Sequence, residues 1–262
     1  MKVEPQLIST FKELPSNKKL YFASDFHLGI PDEESSLQRE KKIVRWLEHI
    51  SQDASAIFLV GDIFDFWFEY RNTVPKGFIR FQGKLAELSD KGISIHFFTG
   101  NHDLWMRDYF PTQLGIAVHN HPIVLEVNNT KLFVGHGDGL GPGDLFYKLV
   151  KRIFVNRLCK WLFQRIHPNL GVSLAQYWSK KSRLANGEQD EEFQGGDERL
   201  WQFCKSINEK DRFDCFIFGH RHLPIEMQVS ENSTYFNLGE WVTQYNYLEF
   251  DGKKAMLKVF ED

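Results

Sequence analysis

Residues 19–29 read KLYFASDFHLG, a short apolar run that ends in an acid and an imidazole. The run has the length and composition of a buried β-strand. Asp25 and His27 lie two residues apart, so on an extended chain their side chains point the same way and can bind one ion. Polar residues are also common where a chain leaves the core. The interpretation therefore depends on whether other strands end in the same way.

Four further apolar runs end similarly, each with a small residue followed by a potential metal ligand. They read FLVGD (58–62), FFTGNHD (97–103), FVGHGD (133–138) and FIFGHRH (216–222). In open α/β sheets, ligands bind beyond the carboxyl ends of the strands. A small residue there lets the backbone turn sharply and approach an ion closely. Five independent strand ends of this kind indicate one shared site.

The predicted metal ligands are carboxylates, one amide oxygen and imidazoles: Asp25, His27, Asp62, Asn101, His136, His220 and His222. Such ligands suit Mn²⁺, Fe or Zn²⁺, and Mg²⁺ less well. Seven ligands exceed what one ion usually takes from a protein, which favours two ions that share a bridging carboxylate. We assign Asp25, His27 and His222 to one ion, and Asn101, His136 and His220 to the other. Asp62, on a strand expected to be central, is the predicted bridge.

Strand and helix candidates alternate over the first hundred residues, which predicts parallel β-α-β units and a layered α/β fold. The predicted helices lie within residues 35–53, 76–92 and 197–210. The predicted strands are residues 20–23, 56–60, 93–98, 123–127, 131–134, 215–218, 234–237, 247–250 and 255–260. The later strands are expected to form a second sheet. Residues 140–198 break this rhythm, being aromatic and helical in pattern, and we expect them to form an insertion over the site. The core is then residues 1–139 and 199–262.

Composition limits the classes of protein to consider. The chain has 262 residues, 42% hydrophobic and 26% charged, and a formal net charge of −3. This balance gives no overall attraction to nucleic acid or anionic lipid, so any such attraction must be local. Three dispersed cysteines argue against a disulfide framework or a zinc knuckle and fit a reducing cytosol. Neither a signal peptide nor a transmembrane helix is expected.

Taken in order, the motifs Asp-x-His, Gly-Asp, Gly-Asn-His-Asp, Gly-His and Gly-His-x-His resemble those of the calcineurin-like metallophosphoesterase superfamily. The resemblance runs from Tyr21 to about Trp241. It implies a four-layer αββα sandwich of two mixed β-sheets. It also implies a dinuclear metal centre that hydrolyses a phosphate ester or anhydride.

Two further stretches, GDIFDFWF (61–68) and HGDGLGPGD (136–144), resemble the UDP-2,3-diacylglucosamine hydrolase branch of that superfamily. The resemblance implies a lipid-linked nucleotide substrate, hydrolysed to lipid X and UMP during lipid A synthesis in Gram-negative bacteria. It implies Mn²⁺ as the usual metal, acyl chains under the insertion and peripheral attachment to the cytoplasmic face of the inner membrane. Asp138 and Asp144 would border the substrate. No nucleic acid is favoured as a partner, and no obligate protein partner is inferred.

One residue departs from that branch, whose best-known members carry Arg where this chain has His102. A histidine here, supported by Asp103, can donate a proton or positive charge to the phosphoryl or leaving-group oxygens. We therefore predict His102, Asp103 and Asp62 as the catalytic residues. The expected mechanism is attack on the α-phosphorus of the UDP moiety by a metal-activated hydroxide.

Residues 145–187 contain no Asp or Glu but several basic residues, interleaved with apolar ones at helical spacing. A basic amphipathic helix of this kind is typical of a segment that lies at a membrane interface. Packing of the same apolar residues on the core is an equally weighted alternative. Ser179, Lys181 and Arg183 are the predicted contacts to substrate phosphate.

Two other functions stay open. The chain is alternatively a metallophosphoesterase of other specificity, acting on a soluble nucleotide or a nucleic acid. It is less well described as a non-enzymatic, metal-dependent binding protein. An extended groove beneath the insertion would favour a nuclease, whereas a deep apolar cleft would favour a lipid substrate.

Overall fold

Two six-stranded mixed sheets form the centre of the molecule, in the orders β12-β11-β2-β3-β4-β5 and β1-β6-β7-β8-β10-β9. The structure is a computed structural model that describes residues 5–8, 11, 13–143, 145–175, 177 and 192–261. The strands are β1 (Gln6–Ile8), β2 (Lys19–Ala23), β3 (Ala54–Val60), β4 (Ser94–Phe98), β5 (Ala117–His119), β6 (Ile123–Val127), β7 (Thr130–Gly135), β8 (Cys215–Phe218), β9 (Pro224–Ser230), β10 (Ser233–Leu238), β11 (Asn246–Phe250) and β12 (Ala255–Val259).

Helices cover the outer face of each sheet, and others lie in the stretch predicted to be the insertion. They are α1 (Glu33–Ile50), α2 (Ile79–Asp90), α3 (Tyr109–Leu114), α4 (Leu145–Phe154), α5 (Arg157–Phe163) and α6 (Arg199–Asn208). Residues 168–175 are also helical. The side chain of Asp32 caps α1 by accepting from the backbone N–H of Ser35 at 2.8 Å. Among these described helices, none is both long enough and apolar enough to cross a bilayer.

Three apolar clusters separate the four layers. The first joins α1, α2 and α3 to one face of the first sheet, and includes Trp46 and Phe97. The second lies between the sheets, where Phe22 stacks on Phe58 with ring centroids 4.7 Å apart. The third packs Leu200 of α6 against the outer face of the second sheet. The predicted αββα sandwich is confirmed.

The course of the last strands differs from prediction. β11 and β12 return to the first sheet, where Leu248 of β11 pairs with Phe22 of β2 in antiparallel register. The expectation that the later strands form a second sheet therefore holds for β6, β7, β8 and β10 but is wrong for β11 and β12. The short strands β1 and β5 and the largely exposed strand β9 were not predicted. The apolar residues of β11 serve either sheet equally well, so their pattern does not select one.

Strands β2, β3 and β4 are parallel neighbours in the first sheet, and β7 and β8 are parallel neighbours in the second. Parallel neighbours end at the same edge of a sheet. β3 lies between β2 and β4, so Asp62 does follow a central strand. The strand order therefore gathers the loops that carry the predicted ligands. The boundaries of the insertion at 140 and 198 stay a prediction.

Candidate dinuclear metal centre

The seven predicted ligands lie on loops that directly follow five parallel strands. Asp25 and His27 follow β2, Asp62 follows β3, Asn101 follows β4, His136 follows β7, and His220 and His222 follow β8. Within each sheet, the backbone N–H of Gly219 donates to the carbonyl of His136 and that of Asp25 to the carbonyl of Gly61, each at 3.0 Å. Across the sheets, the backbone N–H of His220 donates to Oδ2 of Asp25 at 3.0 Å. Residues 195 positions apart thus share one site.

Asp25, His27 and His222 form the first group. Nε2 of His27 lies 3.2 Å from Nε2 of His222, and Oδ1 of Asp25 lies 3.2 Å from the same His222 nitrogen. One potential ligand atom from each residue lies within 4.8 Å of the others. The grouping matches the set assigned from the sequence to one ion.

Asp62, His136 and His220 form the second group, whose ligand atoms also lie within 4.8 Å of one another. Oδ2 of Asp62 lies 3.3 Å from Nε2 of His136, and Oδ1 of Asn101 lies 3.3 Å from the same nitrogen. Asn101, His136 and His220 therefore gather as expected. The role of Asp62 as a bridge between two ions stays a prediction.

The donor atoms fit divalent cations. Oδ1 of Asp25 and Nδ1 of His27 are buried, and neither makes a hydrogen bond of good geometry with the described residues, although Oδ1 of Asp25 lies 3.2 Å from Nε2 of His222. Such orphaned polar atoms are rare in native proteins unless an ion or water satisfies them. Nδ1 of His136 lies 2.9 Å from the carbonyl of Val60, which it reaches as a donor. That tautomer leaves Nε2 of His136 with a lone pair for a metal.

Charge in the second group also favours a cation. Burial opposes the charged form of Asp62, but the imidazoles of His136 and His102 hold the pKa of its carboxyl well below its ordinary value. Burial likewise lowers the pKa of His136, yet the Asp62 carboxylate outweighs it and raises that pKa to about 10. The pair thus attracts positive charge into a buried position. A metal ion and a proton would compete for this place.

Five ligands have left-handed backbone conformations that side chains other than glycine seldom adopt. Their φ angles are 55° at Asp25, 44° at His27, 51° at Asp62, 73° at His220 and 55° at His222. Each such residue costs roughly 1–3 kcal/mol and persists where surrounding contacts hold it. Strain of this kind clusters at functional sites, which supports the assignment. The positive φ angles could not be predicted from the sequence, because a left-handed conformation is normally expected at glycine and these residues are Asp and His.

Glycines next to the ligands make room for neighbouring ligand side chains. A Cβ at Gly100 would lie 2.2 Å from Oδ1 of Asp62, and one at Gly219 would lie 2.5 Å from Oδ2 of Asp25. The sequence predicted small residues there for close approach to an ion. In the structure, they allow close approach of the carboxylates themselves.

His102 lies beside both groups. Its backbone N–H donates to Oδ1 of Asp62 at 2.8 Å, and its ring is 4.9 Å from that of His27, centroid to centroid. Its Nδ1 lies 3.1 Å from the carbonyl oxygen and 3.6 Å from the carboxylate Oδ1 of Asp65. The His102 ring is therefore supported by Asp65, rather than by Asp103 as expected. Oδ1 of Asp65 also lies 3.8 Å from Nδ1 of His27.

Asp103 organises the loop instead. Its carboxylate accepts from the backbone N–H groups of Gly100 at 2.7 Å and Ile63 at 2.9 Å. Burial, with repulsion from Asp62, raises the pKa of Asp103 to about 7. These bonds join the loops after β3 and β4, which carry Asp62 and Asn101. We therefore expect Asp103 to position ligands.

Asp138, a predicted substrate contact, is buried and bound by the insertion. Tyr147 of α4 donates to its Oδ2 at 2.5 Å, and Lys151, one turn further on, forms an ion pair with the same oxygen. Burial would raise the pKa of Asp138, but Lys151 lowers it below its ordinary value. Sequence reasoning missed Tyr147 and Lys151 as partners, although their i, i+4 spacing places them on one helix face. The predicted contacts Asp144, Ser179, Lys181 and Arg183 lie outside the described residues.

The aromatic stretch after Asp62 joins the core to the insertion. Phe64 is fully buried, as expected of a core residue. Phe66 is half-buried and packs against Trp105 and against Phe163 of α5. Trp105 donates its indole N–H to the carbonyl of Phe154 at 2.8 Å. The insertion thus rests on residues that follow the metal ligands.

Comparisons with known proteins identify a family and several relatives to which this chain is similar. A family model described as calcineurin-like phosphoesterase matches residues 18–224. A curated protein of Porphyromonas gingivalis named UDP-2,3-diacylglucosamine hydrolase is 38% identical over 257 residues, covering 93% of this chain and 98% of that protein. One of the same name from Actinobacillus succinogenes is 25% identical, covering 88% and 95%. A solved protein of Streptococcus pneumoniae TIGR4, described as a predicted phosphoesterase, is 14% identical with a TM-score of 0.42, covering 92% and 87%.

Proposed function

This chain belongs to the calcineurin-like phosphoesterase family, and from that premise we propose that it hydrolyses the diphosphate bond of UDP-2,3-diacylglucosamine to UMP and lipid X. The observation that carries the proposal is the convergence of two ligand groups at one sheet edge, each with donor atoms within 4.8 Å of one another. The 38% identity to a relative of that name, over 93% of this chain, supports the choice of substrate.

Asp25, His27 and His222 would hold one divalent cation, and Asn101, His136 and His220 the other, with Asp62 shared between them. Two such cations supply the charge that activates water and stabilises the phosphoryl oxygens when they are bound. The mixed oxygen and imidazole ligands suit Mn²⁺, Fe or Zn²⁺, and we propose Mn²⁺ because the resemblance to UDP-2,3-diacylglucosamine hydrolase implies it. The protein contributes fixed ligand geometry, which the strained backbone and the buried hydrogen bonds maintain.

His102 would act on the substrate directly. Its Nδ1 is held by the carbonyl of Asp65 at 3.1 Å, which fixes the plane of the ring and leaves Nε2 for the substrate. From there it can donate a hydrogen bond to a phosphoryl or leaving-group oxygen. Water attacks the α-phosphorus in line, so the new oxygen belongs to UMP and the lipid phosphate departs intact.

The insertion would bind the acyl chains and attach the enzyme to the membrane surface. Exposed apolar side chains are concentrated on it, including Leu149 (57% exposed), Leu158 (62%) and Leu162 (52%). Basic residues such as Lys148 and Arg152 lie on the same helices. Each basic group near an anionic membrane contributes roughly 1 kcal/mol. This arrangement supports a location on the cytoplasmic face of the inner membrane.

The decisive test is turnover of UDP-2,3-diacylglucosamine with Mn²⁺ in ¹⁸O-labelled water. We expect UMP to form and to carry the label. Label in lipid X instead would overturn attack at the α-phosphorus. Hydrolysis of bis-p-nitrophenyl phosphate without turnover of the lipid would indicate a phosphoesterase of other specificity. Failure on both substrates with Mn²⁺, Zn²⁺ and Fe²⁺ would indicate a binding protein.

A further inference from the structure

We infer that Arg221 and Glu198 are a positioning pair that fixes the loop carrying His220 and His222, and so sets the affinity of both metal ions. The inference rests on the proposed metal centre and adds a function for residues outside the ligand set. Arg221 stands between the two histidines in the sequence, and Glu198 precedes α6, where the chain returns from the insertion.

The pair is buried and bidentate. Nε of Arg221 donates to Oε2 of Glu198 at 2.9 Å, and its Nη2 donates to Oε1 at 3.0 Å. Glu198 is fully buried, and Arg221 is 8% exposed. The same Nη2 also donates to the carbonyl of Glu192 at 2.8 Å. Glu198 in turn accepts from the backbone N–H of Gln194 at 3.0 Å. The guanidinium thus ties the ligand loop to residues 192–198.

The loop that Arg221 anchors is strained on both sides of it. His220 and His222 have φ angles of 73° and 55°, a region that side chains other than glycine seldom adopt. Strained conformations persist only where surrounding contacts over-determine them. The backbone N–H of His220 donates to Oδ2 of Asp25 at 3.0 Å, which fixes one side of the turn. The bidentate contact of Arg221 fixes the next residue.

The position of the pair relates it to both ions. His222 belongs to the first ligand group and His220 to the second, and Arg221 lies between them. Movement of Arg221 therefore displaces one imidazole from each group. A buried ion pair contributes little net stability compared with apolar residues of similar volume. We therefore assign the pair to the orientation of His220 and His222 rather than to stabilisation of the fold.

The test compares Arg221→Met, Glu198→Gln and the double variant, each treated with a chelator and titrated with Mn²⁺ by calorimetry. We expect each single variant to bind Mn²⁺ about tenfold more weakly at both sites, as for other residues that orient metal ligands. Each single variant also leaves a buried unpaired charge, so its stability in urea should fall. The double variant removes both charges. Its stability should recover while its Mn²⁺ affinity stays low.

Electron paramagnetic resonance of the Mn²⁺-loaded variants gives a second readout, because two neighbouring Mn²⁺ ions produce a coupled signal. We expect that signal in the variants only at raised Mn²⁺. Lys131→Gln is the matched control, since it breaks the Lys131–Asp211 ion pair, 2.6 Å long, at the opposite end of β7 from His136. It should change neither affinity nor signal.

Three outcomes would overturn the inference. Mn²⁺ affinity that follows stability, and recovers in the double variant, would show that the pair only stabilises the fold. Weakening at one site alone would refute its action on both ions. If the unaltered protein did not bind Mn²⁺, the proposed metal centre would be refuted as well. Because no substrate is used, failure to hydrolyse UDP-2,3-diacylglucosamine would count against the proposed function alone.

Discussion

The Asp62 carboxylate joins the loop after β4 to the loop after β7. Its Oδ1 accepts from the backbone of His102 at 2.8 Å, and its Oδ2 lies 3.3 Å from Nε2 of His136. We expect Asp62→Ala to lower kcat for bis-p-nitrophenyl phosphate about a thousandfold, since several kcal/mol of charge stabilisation is lost with the metals. Circular dichroism should show the fold retained. Asp211→Ala, at an exposed carboxylate, is the control. Full activity of Asp62→Ala with Mn²⁺ present would refute the assignment.

A pair of glycine variants separates the metal centre from helix stability. A Cβ at Gly100 would lie 2.2 Å from Oδ1 of Asp62, whereas one at Gly83, inside α2, would meet no atom within 4 Å. Gly100→Ala should therefore displace Asp62 and weaken Mn²⁺ binding, measured by calorimetry. Gly83→Ala should leave Mn²⁺ binding unchanged and stabilise the fold by about 0.5–1 kcal/mol in urea. Equal Mn²⁺ affinities in the two variants would contradict the packing argument.

At the scale of elements, strands β4 and β5 carry a histidine pair that belongs to neither ligand group, with His96 buried and His119 half-buried. Nδ1 of His96 lies 3.0 Å from Nε2 of His119, and the His96 ring stacks on Phe58 with centroids 4.7 Å apart. Burial lowers the pKa of each imidazole from 6.5 to about 4. Both histidines are therefore neutral in the folded protein at pH values where the unfolded chain binds protons. Their contribution to stability is present above pH 6.5 and is lost as the pH falls towards 4.

His96→Phe should make stability less sensitive to acid. Between pH 7 and pH 5, the unaltered protein should lose roughly 2 kcal/mol more unfolding free energy than the variant, from this one histidine. Urea denaturation at both pH values, in chelator-containing buffer, measures the difference. The metal ligands titrate equally in both proteins, so their contribution cancels in the difference between the two unfolding free energies. An identical loss in the two proteins would show that His96 does not couple to folding.

The elements that the sequence predicts best are those whose evidence is local. The strand ends that carry Asp25, Asp62 and His136 could be predicted because an apolar run is followed directly in the sequence by a potential metal ligand. The return of β11 to the first sheet could not be predicted, because its apolar residues would suit either sheet. The contact of Asp138 with α4, and that of Arg221 with Glu198, depend on how distant segments meet. No local pattern marks them.

At the scale of the whole molecule, some apolar residues of the insertion pack against the core and others are exposed to solvent. Phe163 of α5 packs against Phe68 and Trp105 of the core, with ring centroids 4.7 and 4.8 Å away. Leu158 and Leu162 of the same helix are 62% and 52% exposed. Packing on the core and contact with lipid, weighed as alternatives from the sequence, are thus compatible on one helix. The inner face fixes the insertion beside the metal centre, and the outer face stays available to lipid.

The two exposed leucines of α5 permit a test of that division. Leu158→Ser with Leu162→Ser should weaken binding to anionic phospholipid vesicles, measured by co-sedimentation, about tenfold to a hundredfold, since burying the exposed half of both leucines contributes about 1.5–3 kcal/mol in total. Turnover of the lipid substrate should fall with it. Hydrolysis of bis-p-nitrophenyl phosphate should stay unchanged, because neither side chain is buried in the core. Ile79→Ser, at an apolar residue of α2 that is 78% exposed, is the control and should alter none of these. If the double variant lost diester hydrolysis to the same degree, the outer face would belong to the catalytic structure rather than to lipid binding.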